Sequence, residues 1–211
     1  MEHSHRAASA LLKQTEKIGV TFTDCLMFIV SLTGNTIIGI IVYKTKTLRK
    51  PINFFIVNMA MPDLLYPIFV IPRGIQRLYI DSWLIGGPLG QALCKLVVFV
   101  SDLSAALSIQ NLVLIAVDRF GAVMLPLRSP LISSKLCPFF ILATWVVAIA
   151  VNSPELFALK LVAYPGKLVC ERYWNEAFGK SSSFENYLLS YKAVFNFIPL
   201  VLIAVLYISS I

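Results

Sequence analysis

The chain has 211 residues, of which 58% are hydrophobic and 14% charged. That balance excludes a disordered chain and an ordinary water-soluble domain, and places the protein among membrane proteins. Lys and Arg outnumber Asp and Glu by 18 to 11, an excess that would fit nucleic acid were it not for where the charges fall.

Five apolar runs are long enough to cross a hydrocarbon core of about 30 Å. They lie near Ile18–Tyr43, Ile52–Arg77, Gly90–Leu125, Leu136–Leu159 and Tyr187–Ile211. The fold class expected is an all-α membrane protein, an antiparallel transmembrane helix bundle. Residues 1–17 carry no apolar core and read as a short polar tail, not a signal peptide. Lys44, Lys46, Arg49 and Lys50 crowd the first loop, and Arg119, Arg128 and Lys135 lie in or beside the third. The fourth loop balances Lys160, Lys167, Arg172 and Lys180 against Glu171, Glu176 and Glu185. Under the positive-inside rule, loops one and three are cytoplasmic and the amino terminus is extracellular. The charge therefore encodes topology, and the expected partner is the lipid bilayer, with no nucleic acid.

The first run carries Gly34-Asn35 at its middle. Glycine admits a neighbouring helix, and an Asn in hydrocarbon needs a partner across the bundle. Asn35 is either a structural clamp or part of a polar cluster around Asp63. The second run holds that Asp63, whose burial costs on the order of 3 kcal/mol even on the gentlest scale, so it must face the bundle interior. Pro62, Pro67 and Pro72 each remove a backbone donor there and predict a kinked helix. Arg73 and Arg77 near its outer end either snorkel to the headgroups or face an outer cavity.

The third run is the longest. Ser101, Ser104, Ser108 and Asn111 follow i, i+3, i+7 and i+10, one polar face over nearly three turns, which marks the central helix. Asp102 borders that stripe as a second intramembrane acid. Asp118-Arg119-Phe120 closes the helix on the inner side, either as an ordinary surface pair or as an arginine kept for a partner protein. The fourth run has Trp145 at its centre and ends in Asn152-Ser153-Pro154-Glu155. A long outer loop separates it from the fifth, which contains Tyr191, Asn196, Pro199 and Tyr207. Cys94 and Cys170 both fall on the outer side, where disulfides persist; a bridge between them would tie the long loop over the bundle mouth. Cys25 and Cys137 read as free thiols.

In this order the landmarks resemble the rhodopsin-like family of G protein-coupled receptors. The resemblance rests on Gly34-Asn35, Asn58-Met59-Ala60-Met61-Pro62-Asp63, Trp83, Cys94, Asp118-Arg119-Phe120, Pro126-Leu127, Trp145, Pro154, Cys170, Pro199 and Tyr207. It covers essentially the whole chain and implies a plasma-membrane, multi-pass receptor whose domain spans 18–211, with five of seven helices present. Phe120 stands where the family usually has tyrosine, and Pro62 directly before Asp63 is unusual.

The resemblance also implies roles. Asp63 and Ser108, with Asn35 nearby, match a sodium and water pocket; sodium is the one metal it suggests, and no other cofactor. Arg119 matches a residue held by Asp118 at rest and offered to a heterotrimeric G protein, with Tyr207 as its support. The ligand cavity maps to Ser101, Asp102, Ala105, Glu155 and Tyr191, with Arg73 and Arg77 at its rim. Because Asp102 is one residue, roughly 100° of helix, away from the position where aminergic receptors carry an acid, a peptide-like ligand is expected. A receptor dimer is a further possible partner.

Two other classes stand beside this reading. A five-span product could pair with a full-length receptor through helix faces left uncovered. A proton-coupled transporter using Asp63 and Asp102 would show an inverted repeat, and the sequence has none. No enzyme is expected: His3 and His5 lie in the tail, and no His-Glu-x-x-His, phosphate loop or nucleophile elbow occurs.

Overall fold

The computed structural model describes residues 2–124, 132–179 and 182–209, with side chains from residue 12 onward. Among the described residues, five helices are long and apolar enough to cross a membrane. They are α1 (Glu2–Lys44), α2 (Pro51–Tyr79), α3 (Gly87–Met124), α4 (Cys137–Ala158) and α6 (Phe184–Ile208), with a short α5 (Trp174–Phe178) before the last. Four of these spans begin within three residues of their expected start. The first does not: α1 starts at Glu2 and absorbs the segment read as a tail. Its Ala-, Lys- and Glu-rich stretch has high helix propensity, which extends the helix without apolar periodicity.

The α3 helix is the axis of the bundle. It contacts α2, α4 and α6, while α1 packs on α2. Leu103, Ala106 and Leu107 of α3 bury against Ala148 of α4, with Phe99 and Trp145 closing the cluster. Phe55, Ile132 and Cys137 form a second core at the inner end. Elsewhere the helices turn large apolar side chains outward, among them Phe22, Ile68, Phe139 and Phe197. That pattern suits acyl chains, not water.

The long outer loop is not irregular. β1 (Leu159–Tyr164) and β2 (Lys167–Arg172) form an antiparallel hairpin with Leu161 opposite Cys170. Its tight turn uses Pro165 and Gly166, the latter at φ +83°, a conformation that favours glycine. Cys94 at the start of α3 is bonded to Cys170, with Cα atoms 5.7 Å apart, within the usual span of a disulfide. Trp83, Cys94 and Leu159 bury around this bond. Gly90 sits so close to Ile85 and Leu161 that a Cβ there would meet both, so glycine is what lets the hairpin seat on α3. Cys25 and Cys137 are free thiols. Pro126, Leu127 and Arg128 lie outside the described residues.

Candidate functional site

Polar side chains inside the bundle gather at two neighbouring centres. In the first, Ser104 donates to Asp63 Oδ1 at 2.7 Å and Ser108 to the same oxygen at 3.4 Å. The structure brings Asp63 and Ser108 together, and Ser104, named in the sequence only as part of the polar stripe, makes the shorter contact. Both serines lie on the polar stripe, which contained the signal. Among the described residues, the second oxygen of Asp63 carries no hydrogen bond.

Asn35 joins at one remove. Ser31 donates to the backbone carbonyl of Asp63 at 2.9 Å, and Asn35 donates to the Ser31 carbonyl at 2.9 Å and to its hydroxyl at 3.3 Å. The cause lies in α2. A helix carbonyl normally accepts from the amide four residues on, and for Asp63 that residue is Pro67, which has none. The proline leaves an orphan acceptor at bilayer depth, and the hydroxyl of the adjacent helix satisfies it. Ser31 thus converts a proline defect into a tie between α1 and α2.

The second centre is Asn58. Its amide nitrogen donates to Asn111 Oδ1 at 3.0 Å and to Thr144 Oγ1 at 3.3 Å. Its oxygen accepts from Trp145 Nε1 at 2.7 Å. One buried carboxamide therefore links α2, α3 and α4. Four polar groups satisfied together rigidify a core, whereas any one left alone would be costly.

At the outer ends, the candidate ligand residues are arranged unequally. Glu155 is 3% exposed and accepts from Arg172 Nε of β2 at 2.8 Å. It is committed to the hairpin. Arg172 in turn lies 4.0 Å over the Phe184 ring. Asp102 has no hydrogen bond or ion pair through its carboxylate among the described residues; its backbone carbonyl accepts weakly from Tyr191 at 3.4 Å. Tyr191 stacks on Phe195 and faces Tyr187. Ser101 is half-buried and Ala105 exposed. Arg73 stacks 4.3 Å from the Trp83 ring centroid and donates to Gln76, while Arg77 is exposed. The structure brings Asp102, Glu155 and Tyr191 toward one mouth and leaves Arg73 and Arg77 on the α2 side.

On the hairpin itself, Tyr164 and Tyr173 both donate to Glu171 Oε2, at 2.9 and 3.2 Å. The carboxylate acceptor favours the protonated phenol, so Tyr164 is pushed up to about 12,.

At the inner end, Asp118 Oδ1 is buried without a hydrogen bond. Among the described residues no ion pair joins it to Arg119, which is exposed, as is Tyr207. Phe120 is half-buried. The Asp118–Arg119 clasp implied by the resemblance is not formed in this structure.

Residues 34–211 match the 7 transmembrane receptor (rhodopsin family) profile. The chain belongs to that family. Its relatives include a QRFP-like peptide receptor of Branchiostoma floridae, 33% identical over 87% of this chain and 48% of that protein. Neuropeptide FF receptor 2 of Mus musculus is 36% identical over 64% of this chain and 31% of its own. The RYamide receptor of Drosophila melanogaster is 34% identical over 70% and 31% respectively. The chain thus spans half or less of the length of these relatives. As a rhodopsin-family chain with five membrane-length helices, the protein is a multi-pass protein of the plasma membrane, in a family of receptors and not of enzymes.

Proposed function

We propose that the protein is a G protein-coupled receptor for a neuropeptide-like ligand, binding at the outer ends of α3, α4 and α6 beneath the hairpin. The observation that carries the reading is that several relatives are named for peptide ligands, a QRFP-like peptide, neuropeptide FF and RYamide. A peptide with a cationic group suits Asp102, whose carboxylate carries no hydrogen bond or ion pair among the described residues, while Glu155 serves the hairpin. Acidic peptide groups suit Arg77 and, once drawn off Trp83, Arg73. On the opposite side, Arg119 is the residue offered to a heterotrimeric G protein, supported by Tyr207.

Transmission between the two ends passes through the Asp63 centre. Asp63, Ser104 and Ser108 are an all-oxygen set, with one carboxylate oxygen free of hydrogen bonds among the described residues. That set suits a hard cation such as sodium, which would supply the charge that a carboxylate at this depth lacks. Whichever bundle arrangement holds the cation is favoured at rest, and a ligand that binds the other more tightly shifts the balance.

Two measurements test the proposal. Cells expressing the receptor, challenged with a panel of amidated neuropeptides, should show G protein dissociation with at least one, abolished by Arg119→Ala at equal surface expression. Silence across the panel would count against a peptide ligand. Separately, replacing choline by sodium should raise the melting temperature in nanodiscs, and Asp63→Asn should remove that increment. An increment untouched by the substitution would place the cation elsewhere.

A further inference from the structure

A cavity of about 320 Å³ lies between α3, α4 and α6, bounded by Gln110, Val113, Phe140, Val147, Val194 and Phe195. Small-molecule sites begin at about 300 Å³. Val147 and Val194 are exposed, so the mouth opens on the apolar flank that meets the bilayer. Val194 and Phe195 belong to a π-helical turn over Ala193–Phe197, a widening of the helix frequent at functional sites.

Among the described residues two polar side chains line this cavity, and one is already hydrogen-bonded as donor and acceptor. Thr144 donates to the Ile141 carbonyl and accepts from Asn58. Gln110 is the other, and its amide nitrogen is buried with no hydrogen-bond partner. Interchanging the amide oxygen and nitrogen still leaves a polar atom in that buried position,. At bilayer depth no bulk water is present to satisfy it. Among the described residues no charged side chain lines the cavity, so an ionic ligand would go uncompensated there. A hydroxyl both donates and accepts, and so meets the carboxamide in either orientation.

We propose that this cavity binds an uncharged, medium-sized alcohol that enters from the bilayer and hydrogen-bonds Gln110. The site is distinct from the outer mouth and from the Asp63 centre, and it stands whether or not the ligand assigned above is right.

The test uses the whole chain in zwitterionic nanodiscs with azioctanol, a photoreactive alcohol, and maps adducts by mass spectrometry. Saturable adducts are expected on the cavity-lining segments of α4 and α6, competed by unlabelled decanol and not by decane. Gln110→Met, which keeps length and removes the amide, should lower saturable labelling about threefold to tenfold, the effect of one hydrogen bond. Ala143→Phe should abolish it by filling the space. Competition by decane as effective as by decanol, or labelling unchanged in Gln110→Met, would overturn the proposal in favour of a merely greasy crevice. Should a variant fail to fold, the decanol and decane comparison on the unaltered chain decides alone.

Discussion

Around Asp63 and Asn58 the polar ties between helices are side-chain hydrogen bonds, whereas at the outer end the hairpin is held by a disulfide, an ion pair and stacked rings. The ties through serine hydroxyls are single hydrogen bonds whose loss costs about 1 kcal/mol each, because a hydroxyl can rotate to another acceptor. The Asn58 carboxamide, bonded at both ends, is the firmer of the two central ties,. The outer ties cannot turn to another partner: a covalent bond and a buried carboxylate each have a single satisfactory arrangement. The covalent and ionic ties thus lie at the outer end, and the weaker, single hydrogen bonds in the middle of the bundle. The contrast can be attacked from either side.

The largest effect is expected from the covalent tie. Cys94→Ser and Cys170→Ser should each cost about 4 kcal/mol of stability, the scale for a closed loop of this order,. The two variants should match in thermal unfolding and in surface expression, since either one opens the same bond. Clearly unequal losses would mean that one cysteine has a role outside the bridge.

The ion pair comes next, and here the asymmetry is informative. Glu155 is buried and Arg172 about a third exposed. Arg172→Leu strands a buried carboxylate, while Glu155→Gln leaves a guanidinium that reaches water and still stacks on Phe184. Breaking a buried pair costs about 3–5 kcal/mol, and partial exposure of the arginine puts this case near about 3 kcal/mol for Arg172→Leu. Glu155→Gln should cost clearly less. Equal melting shifts would show that Glu155 is better solvated than its position indicates.

In the middle of the bundle a smaller penalty is expected. Ser31→Ala removes the hydroxyl that answers the Asp63 carbonyl and should destabilise the bundle by about 1 kcal/mol. Pairing it with Pro67→Ala restores an amide donor to that carbonyl within the helix. The double variant should then lose less than the sum of the singles, a coupling that a double-mutant cycle reads directly. Simple additivity would dissociate Ser31 from the proline.

How much of this could be read beforehand follows the same division. The spans were legible because apolar length at bilayer thickness is a strong signal, and Ser104, Ser108 and Asn111 announced an interior face by spacing alone. Ser31 was not legible as a partner, since nothing in helix one points to it. The clue lay in helix two, where a proline four residues after Asp63 predicts an unanswered carbonyl. The hairpin was missed because its strands are short and carry Lys160, Glu171 and Arg172 among their apolar residues, although Pro165-Gly166 between two apolar runs is a turn signal. Glu155 was assigned to ligand because its ion partner sits on that unread strand.

The smallest effect belongs to the hairpin surface and is spectroscopic. Tyr164 is hydrogen-bonded to Glu171 and held neutral up to about pH 12, above the ordinary phenol value of 10.0. Raised folded-state affinity for the proton means that the contribution is complete below pH 10, where both folded and unfolded phenols are protonated. It fades as pH climbs from there through about 12, where the folded phenol ionises. Tyrosinate absorbance should therefore show Tyr164 among the late-titrating phenols, and Glu171→Gln should bring it back toward 10 by removing the acceptor charge. Tyr173 shares the same carboxylate oxygen, so the substitution also frees its hydroxyl. A difference titration against Tyr164→Phe isolates the residue, and an ordinary pKa there would mean that the Glu171 contact does not persist in solution. Because Tyr164 sits at the hairpin tip, such a result would confine the rigidity of the lid to its base, held by the Cys94–Cys170 bond and the Arg172–Glu155 pair.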